Sequence, residues 1–179
     1  MPKRATPPRS PLATWLRERQ LLKGRGRLSG QASRPLSGHG ELLRWCHQGR
    51  LAGGLSASLQ ATADEVVGPL AHGLGGEATR FKVLDVRLKA GEPMELVVQV
   101  DPKGTVERWA IEDVPGLVHN LNDLYRDEPS VAAGAVLGEF QDMWQLWVVS
   151  KPVLAELLQQ PWFEPRRRAQ LESLVSAEP

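Results

Sequence analysis

Residues 94–101, MELVVQVD, alternate in polarity: Met94, Leu96, Val98 and Val100 fall on one side, Glu95, Gln99 and Asp101 on the other. Successive side chains of an extended chain point to opposite faces, so this segment reads as a strand with one wetter face. The Asp101-Pro102-Lys103-Gly104 that follows is a hairpin connection, because Pro fixes φ at the second turn position and Gly accepts a positive φ. The chain therefore turns back into TVERWAIE, residues 105–112. Upstream, RFKVLDVRLK (80–89) is apolar at Leu84, Val86 and Leu88 on one face and at Phe81 and Val83 on the other. Three such strands joined in sequence predict an antiparallel meander.

Helices flank it. Thr62-Ala63-Asp64-Glu65 has capping-box spacing, in which the Thr hydroxyl and the Glu carboxylate satisfy free amides at a helix start. Val66, Val67, Leu70, Ala71 and Leu74 then share a face, and Gly75-Gly76 ends the helix. Residues 41–51 place Leu42, Leu43, Trp45, Cys46 and Leu51 around a short helix closed by Gly49. Pro115 opens a helix with an apolar stripe of Leu117, Val118, Leu121, Leu124 and Tyr125. Residues 131–140 and 143–150 read as a strand pair, Ser150 caps KPVLAELLQQ, and a last helix starts near Pro165 and buries Leu171, Leu174 and Val175. The expected fold is α+β, with an antiparallel sheet of about five strands (three-strand meander, helix, strand pair) packed by helices. The element order resembles, in topology, the small α+β modules of secretion-chaperone type and the αβββαβ core of PD-(D/E)xK nucleases. Such a likeness carries no function by itself.

Charge divides the chain at residue 40. Of 22 Lys+Arg and 21 Asp+Glu, residues 1–40 hold nine basic side chains against Glu18 alone, a net of +8, and residues 41–179 carry −7. Residues 1–11 combine prolines and cations with few apolar groups and are expected to be disordered. Leu12, Trp15, Leu16, Leu21 and Leu22 form a stripe near helical spacing, a short basic amphipathic helix that needs a partner surface to form fully. The glycines and serines of 24–40 mark a linker. The domain reading is thus a basic flexible arm over 1–40 and one compact α+β domain over 41–179. Lys3, Arg4, Arg9, Arg17, Arg19, Lys23, Arg25 and Arg27 are the candidate polyanion contacts, since a flexible cationic segment releases counterions from phosphate backbones. Docking of this arm on the acidic body is the competing use of its charge. Arg outnumbers Lys by 16 to 6, a bacterial-like, GC-rich composition, so the arginine count alone is no argument for guanidinium chemistry.

Several chemistries lack support. A single Cys46 excludes an intramolecular disulfide and fits a reducing compartment. No run of 18 apolar residues predicts a membrane span, and the N-terminus lacks an uninterrupted apolar h-region, which points to the cytoplasm. An organellar transit peptide is the alternative for an Arg-rich, acid-poor start. Four His and one Cys show no metal-ligand spacing, and no phosphate-binding or nucleophile-elbow motif occurs, so neither metal nor cofactor is expected. A Cys/His nucleophile pair such as Cys46 with His119 is permitted by composition. Asp85, Asp101 and Lys103 supply a D…DxK order suited to a metal-dependent nuclease, although DPKG is also what a tight hairpin contains.

Six Trp against one Tyr and three Phe is an unusual aromatic balance, and Trp anchors many interfaces. Trp144 and Trp147, three apart on a strand, face opposite sides and are the candidate partner-binding residues. The function expected from these features is a non-enzymatic binding or assembly protein. Its folded domain engages a protein partner, self-association included, and its basic arm contacts nucleic acid or another polyanion. A purely protein-binding chaperone, adaptor or immunity-type module is the alternative, and the nuclease a second.

Overall fold

The computed structural model describes residues 10–24, 37–58, 63–75, 81–87, 89–100, 104–126 and 132–176. Among them are six helices and two three-stranded antiparallel sheets, so the α+β class holds. No described helix is long and apolar enough to cross a membrane.

The meander forms as read: β2 (Phe81–Arg87), β3 (Met94–Val100) and β4 (Thr105–Ile111) pair in that order. Its alternation breaks once, at a register shift between Val83 and Asp85. Val83 therefore opposes Val98 while Val86 opposes Leu96, and both pack on the same core. The bulge gathers onto one face apolar residues that strict alternation assigns to two. Leu88 lies outside the described residues.

The other sheet corrects the expectation of a single five-stranded one. β5 (Ala132–Phe140) and β6 (Met143–Ser150) form a hairpin, and β6 pairs on its other side with β1 (Gly54–Ser58) rather than with the meander. β1 reads GLSAS and lacks apolar alternation; its extension comes from pairing with β6, from Gly54 opposite Trp147 to Ser58 opposite Met143. Gln141 and Asp142, at φ 51° and 60°, make the two-residue turn of the β5–β6 hairpin. Gly53 admits no side chain: its φ is 76°, and a Cβ would lie 2.1 Å from the Val148 carbonyl oxygen.

Both faces of this sheet are buried. One carries Ala133, Ala135, Leu137, Trp147 and Val149 against α1 (Pro11–Glu18), α2 (Gly38–His47), α5 (Lys151–Leu158) and α6 (Pro165–Glu172). The opposite face carries Leu146, Val136 and Val148 into a second core, where α3 (Ala63–Gly75) and α4 (Val114–Leu124) meet both sheets. Two buried faces explain why β6 is a nearly unbroken apolar run, MWQLWVVS. Helix starts are satisfied by Ser10, Ser37 and Asp113, whose side chains accept from the amides of Ala13, Gly40 and Gly116. Ser150 precedes α5 as expected, but its hydroxyl makes no cap bond. Thr62 lies outside the described residues, so the capping box does too.

Part of the segment read as a basic arm is packed on the body. Leu12, Ala13 and Leu16 of α1 are buried in the first core, and Leu22 joins them through an isolated antiparallel bridge to Leu51. The apolar stripe of residues 12–22 thus finds its partner surface on the chain's own body, and residues 10–24 belong to that body. Residues 10–24 thus pack on the body although they precede residue 40, while residues 1–9 and 25–36 lie outside the described residues.

Candidate functional site

Of the eight candidate polyanion contacts, Arg17, Arg19 and Lys23 are described, while Lys3, Arg4, Arg9, Arg25 and Arg27 lie outside the described residues. Arg19 is committed internally. Its Nε and terminal nitrogen donate to the two Glu156 carboxylate oxygens at 3.1 and 2.7 Å, and its guanidinium stacks 3.9 Å from the centre of the Trp15 ring. The hydrogen bond to Glu156 raises the Arg19 pKa and lowers that of Glu156. Trp15 in turn meets Trp162 edge-on with ring centres 6.2 Å apart, so this group ties α1 to α5 and the turn after it. Lys23 is exposed, and Arg17 is half-buried in the last turn of α1.

Two of the points where the remaining basic stretches join the body, Ser10 and Ser37, meet at the start of α2; the third, Gly24, lies past its other end, where Arg50 donates to the Lys23 and Gly24 carbonyls at 3.3 and 3.5 Å. Ser10, which follows Lys3, Arg4 and Arg9 in the chain, donates its hydroxyl to Glu41 Oε2 at 2.8 Å. Gly38, four residues after Arg34, donates its amide to the Trp162 carbonyl at 3.1 Å. Three residues beyond Trp162 begins α6, with Arg166 and Arg167 exposed and Arg168 donating to the Gln160 carbonyl at 2.7 Å. His39 lies here as well; burial, and then the charge of Arg167, lower its pKa.

The two candidate partner-binding tryptophans separate as their spacing predicts, and both faces are covered. Trp147 is 0% exposed, and its indole nitrogen donates to the Ala52 carbonyl at 2.9 Å, so it is a core residue with no surface to offer. Trp144 is half-buried against the second core.

Among the described residues, Cys46 and His119 are not brought together as a catalytic pair. Cys46 sits in the first core with Sγ 3.2 Å from the Leu146 carbonyl and 3.4 Å from that of Leu55, and burial pushes its pKa up to about 11. A protonated, buried thiol is a poor nucleophile. His119 is exposed on α4 and pairs with Asp123 at 3.4 Å. Asp85 accepts from Arg87 Nε at 2.9 Å, and Arg87 also reaches Glu95 at 3.3 Å. Arg87 holds the Asp85 pKa below the usual carboxylate range. Asp101 and Lys103 lie outside the described residues, and the described ones include no group of three or more His, Cys, Asp or Glu placed to hold a metal ion. A cleft of about 210 Å³ near the end of α4 is lined by His119, Asp123, Arg126 and Lys151. Its polar groups face one another: Asp123 accepts from Arg126, and Lys151 Nζ donates to the Tyr125 and Arg126 carbonyls at 3.4 and 2.9 Å.

Sequence reasoning missed the sheet edges. Among the described residues β1, β5, β2 and β4 each pair on one side only. β1 is five residues long, β2 is bulged at Val83/Asp85, and β5 is bulged between Val136 and Gly138. On β5, moreover, the Asn122 side chain donates to the Gly134 carbonyl and accepts from its amide, both at 2.8 Å. β4 runs seven residues in unbroken register with β3, with Thr105 to Arg108 and Ala110 exposed and Val106 at 56%. Compared with family models, curated proteins and solved structures, the chain matches none.

Proposed function

We propose that the chain is a non-enzymatic binding or assembly protein of the cytoplasm, whose body engages a protein partner and whose basic segments contact nucleic acid or another polyanion. The observation that supports this reading is the meeting of Ser10, Ser37 and the start of α6 beside the first turn of α2. Ser10 and Ser37, where two basic stretches join the body, sit beside Glu41 and Trp162, and exposed Arg166 and Arg167 open the neighbouring α6. Two basic stretches thus join the body beside the exposed Arg166 and Arg167. A cationic chain joined to the body there suits a polyanionic backbone better than a single small anion.

Deleting residues 1–36 is an unsuitable test, because it removes Leu12 and Leu16 from the core along with the charge. The informative variant keeps the chain and neutralises Lys3, Arg4, Arg9, Arg25 and Arg27 to Gln. Full chain is titrated with a fluorescent duplex oligonucleotide at increasing salt. Binding by the unaltered chain weakens linearly in log[salt], and the neutralised chain shows a shallower slope, by about 0.9 for each phosphate that the variant no longer neutralises. No binding at low salt, or equal slopes for the two chains, refutes the polyanion role. The protein partner is tested by pull-down with both chains, and a partner held equally by each places protein binding on the body.

A further inference from the structure

We infer that His39 is a pH-operated latch: neutral, it lets the turn before α6 close onto the start of α2, and protonated, it releases residues 160–176 from the body. That segment is lightly tied. Of the residues in α6 itself Leu171 is buried, and Glu164 at the N-cap makes no side-chain cap bond. Phe163 is buried ahead of the helix, with Trp162, Leu174 and Val175 partly so. Among the described residues, the one hydrogen bond that joins 160–176 to a distant part of the chain runs from the Gly38 amide to the Trp162 carbonyl, at 3.1 Å. The two segments meet closely there, since a Cβ on Gly38 would lie 2.6 Å from that oxygen. A short helix with so few buried groups opens locally at a smaller free energy than the whole body does.

His39 is the residue next to that bond, and its surroundings suit the neutral ring. Its Nδ1 is buried and has no hydrogen-bond partner among the described residues, a state that native folds rarely leave unexplained. It stands in the first turn of α2, where free amides and the helix dipole oppose a cation. Burial opposes the charged ring most, and the guanidinium of Arg167 opposes it next. The Leu137 backbone on β5 and, less strongly, the Glu164 carboxylate favour the charged ring without offsetting those two. The other titratable groups of α2 are Glu41, which accepts from Ser10 at the start of α1, Arg44, Cys46 and His47.

A proton on His39 is accommodated once the ring reaches water and Arg167 moves away. Both follow when residues 162–167 part from the start of α2. In the released state His39 titrates at its ordinary 6.5, and in the closed state below it. The closed state therefore binds fewer protons, and release gains as pH falls below 6.5. The ratio of released to closed chains rises by up to about tenfold between about pH 7.5 and about pH 5.5. Glu41, whose pKa burial raises, acts in the opposite sense and does not mimic this rise. The latch lies where Ser10 and Ser37 join the body, but it goes beyond the polyanion reading and needs no nucleic acid to operate.

The test follows amide hydrogen exchange of the full chain by NMR across that pH range, with each rate taken relative to the unfolded chain. Gly38 and Arg168, whose amides bond to the Trp162 and Glu164 carbonyls, report the latch; Val148, bonded to the Gly53 carbonyl, reports the body. Gly38 and Arg168 are expected to exchange faster than Val148, at rates that low urea leaves unchanged, because local opening exposes little surface. Their protection falls severalfold as pH drops. His39→Gln abolishes the fall, and Arg167→Gln, a change at an exposed residue that leaves the ring in place, makes it smaller. Protection that ignores pH, an equal fall in His39→Gln, an unchanged fall in Arg167→Gln, or exchange at Gly38 and Arg168 no faster than at Val148 overturns the latch.

Discussion

Leu16 measures whether α1 is structure or arm. Its side chain is 0% exposed in the first core, beside Leu12 and Leu42. Truncation to Ala removes buried methyl and methylene groups and leaves a cavity that the surrounding helices fill only in part, so Leu16→Ala costs about 2–5 kcal/mol. Against a total stability of roughly 5–15 kcal/mol that loss is large. At about 2–4 °C per kcal/mol for a chain of this length, a loss near 3 kcal/mol lowers Tm by about 6–12 °C. Thr14→Ala, on the exposed side of the same helix, is the control, and surface changes of that kind stay within about 0.5 kcal/mol. Urea unfolding followed by circular dichroism and by tryptophan fluorescence reads both variants. If Leu16→Ala and Thr14→Ala unfold alike, α1 contributes no packing and residues 10–24 return to being an arm. If circular dichroism reports a normal transition while fluorescence from Trp15 shifts early, α1 detaches by itself and the core is independent of it.

Cys46 is expected to be inert in the folded chain: with its pKa raised from 9.0 to about 11, its thiolate fraction at pH 8 falls about a hundredfold. A disulfide reagent therefore reacts at least about a hundredfold faster in denaturant than in buffer, and comparable rates would show that the thiol is accessible. His39 makes stability depend on pH. Its folded pKa lies below the ordinary 6.5, so the native state binds fewer protons than the unfolded one and stability falls as pH drops below that value. Glu41 acts in the opposite sense, because burial raises its pKa above the ordinary 4.5 and stability gains as pH falls through that window. His39→Gln therefore loses less unfolding free energy than the unaltered chain between pH 7 and pH 5, and identical losses would remove His39 as the cause.

What the sequence foretold is what short-range physics controls. The meander was readable because Met94, Leu96 and Val98 alternate and DPKG can turn; the α4 stripe was readable because Leu117, Val118 and Leu121 recur at helical spacing. β1 was not, since Gly54, Ser56 and Ser58 carry no strand signal and the segment extends only because β6 lies beside it. The same cause hid the division into two sheets. Which strand a hairpin joins depends on segments about ninety residues apart in the chain, and no local pattern distinguishes β6 beside β1 from β6 beside the meander. The stripe of Leu12 and Leu16 was visible, but its destination against α2, α5 and α6 was not.

The candidate sites were hidden for a related reason. A cation counted in the sequence is free or spent according to its neighbours: Arg19, grouped by sequence with Arg17 and Lys23, is bound to Glu156 from the opposite end of the chain. Dividing the charge at residue 40 therefore counts Arg19, which holds the body together, with cations outside the described residues, and a deletion inherits the same confusion. Neutralising five named side chains separates the two. Edges obey a similar logic, because a strand is an edge only by what fails to pair with it, while the bulges of β2 and β5 and the Asn122 bonds appear only once the register is set.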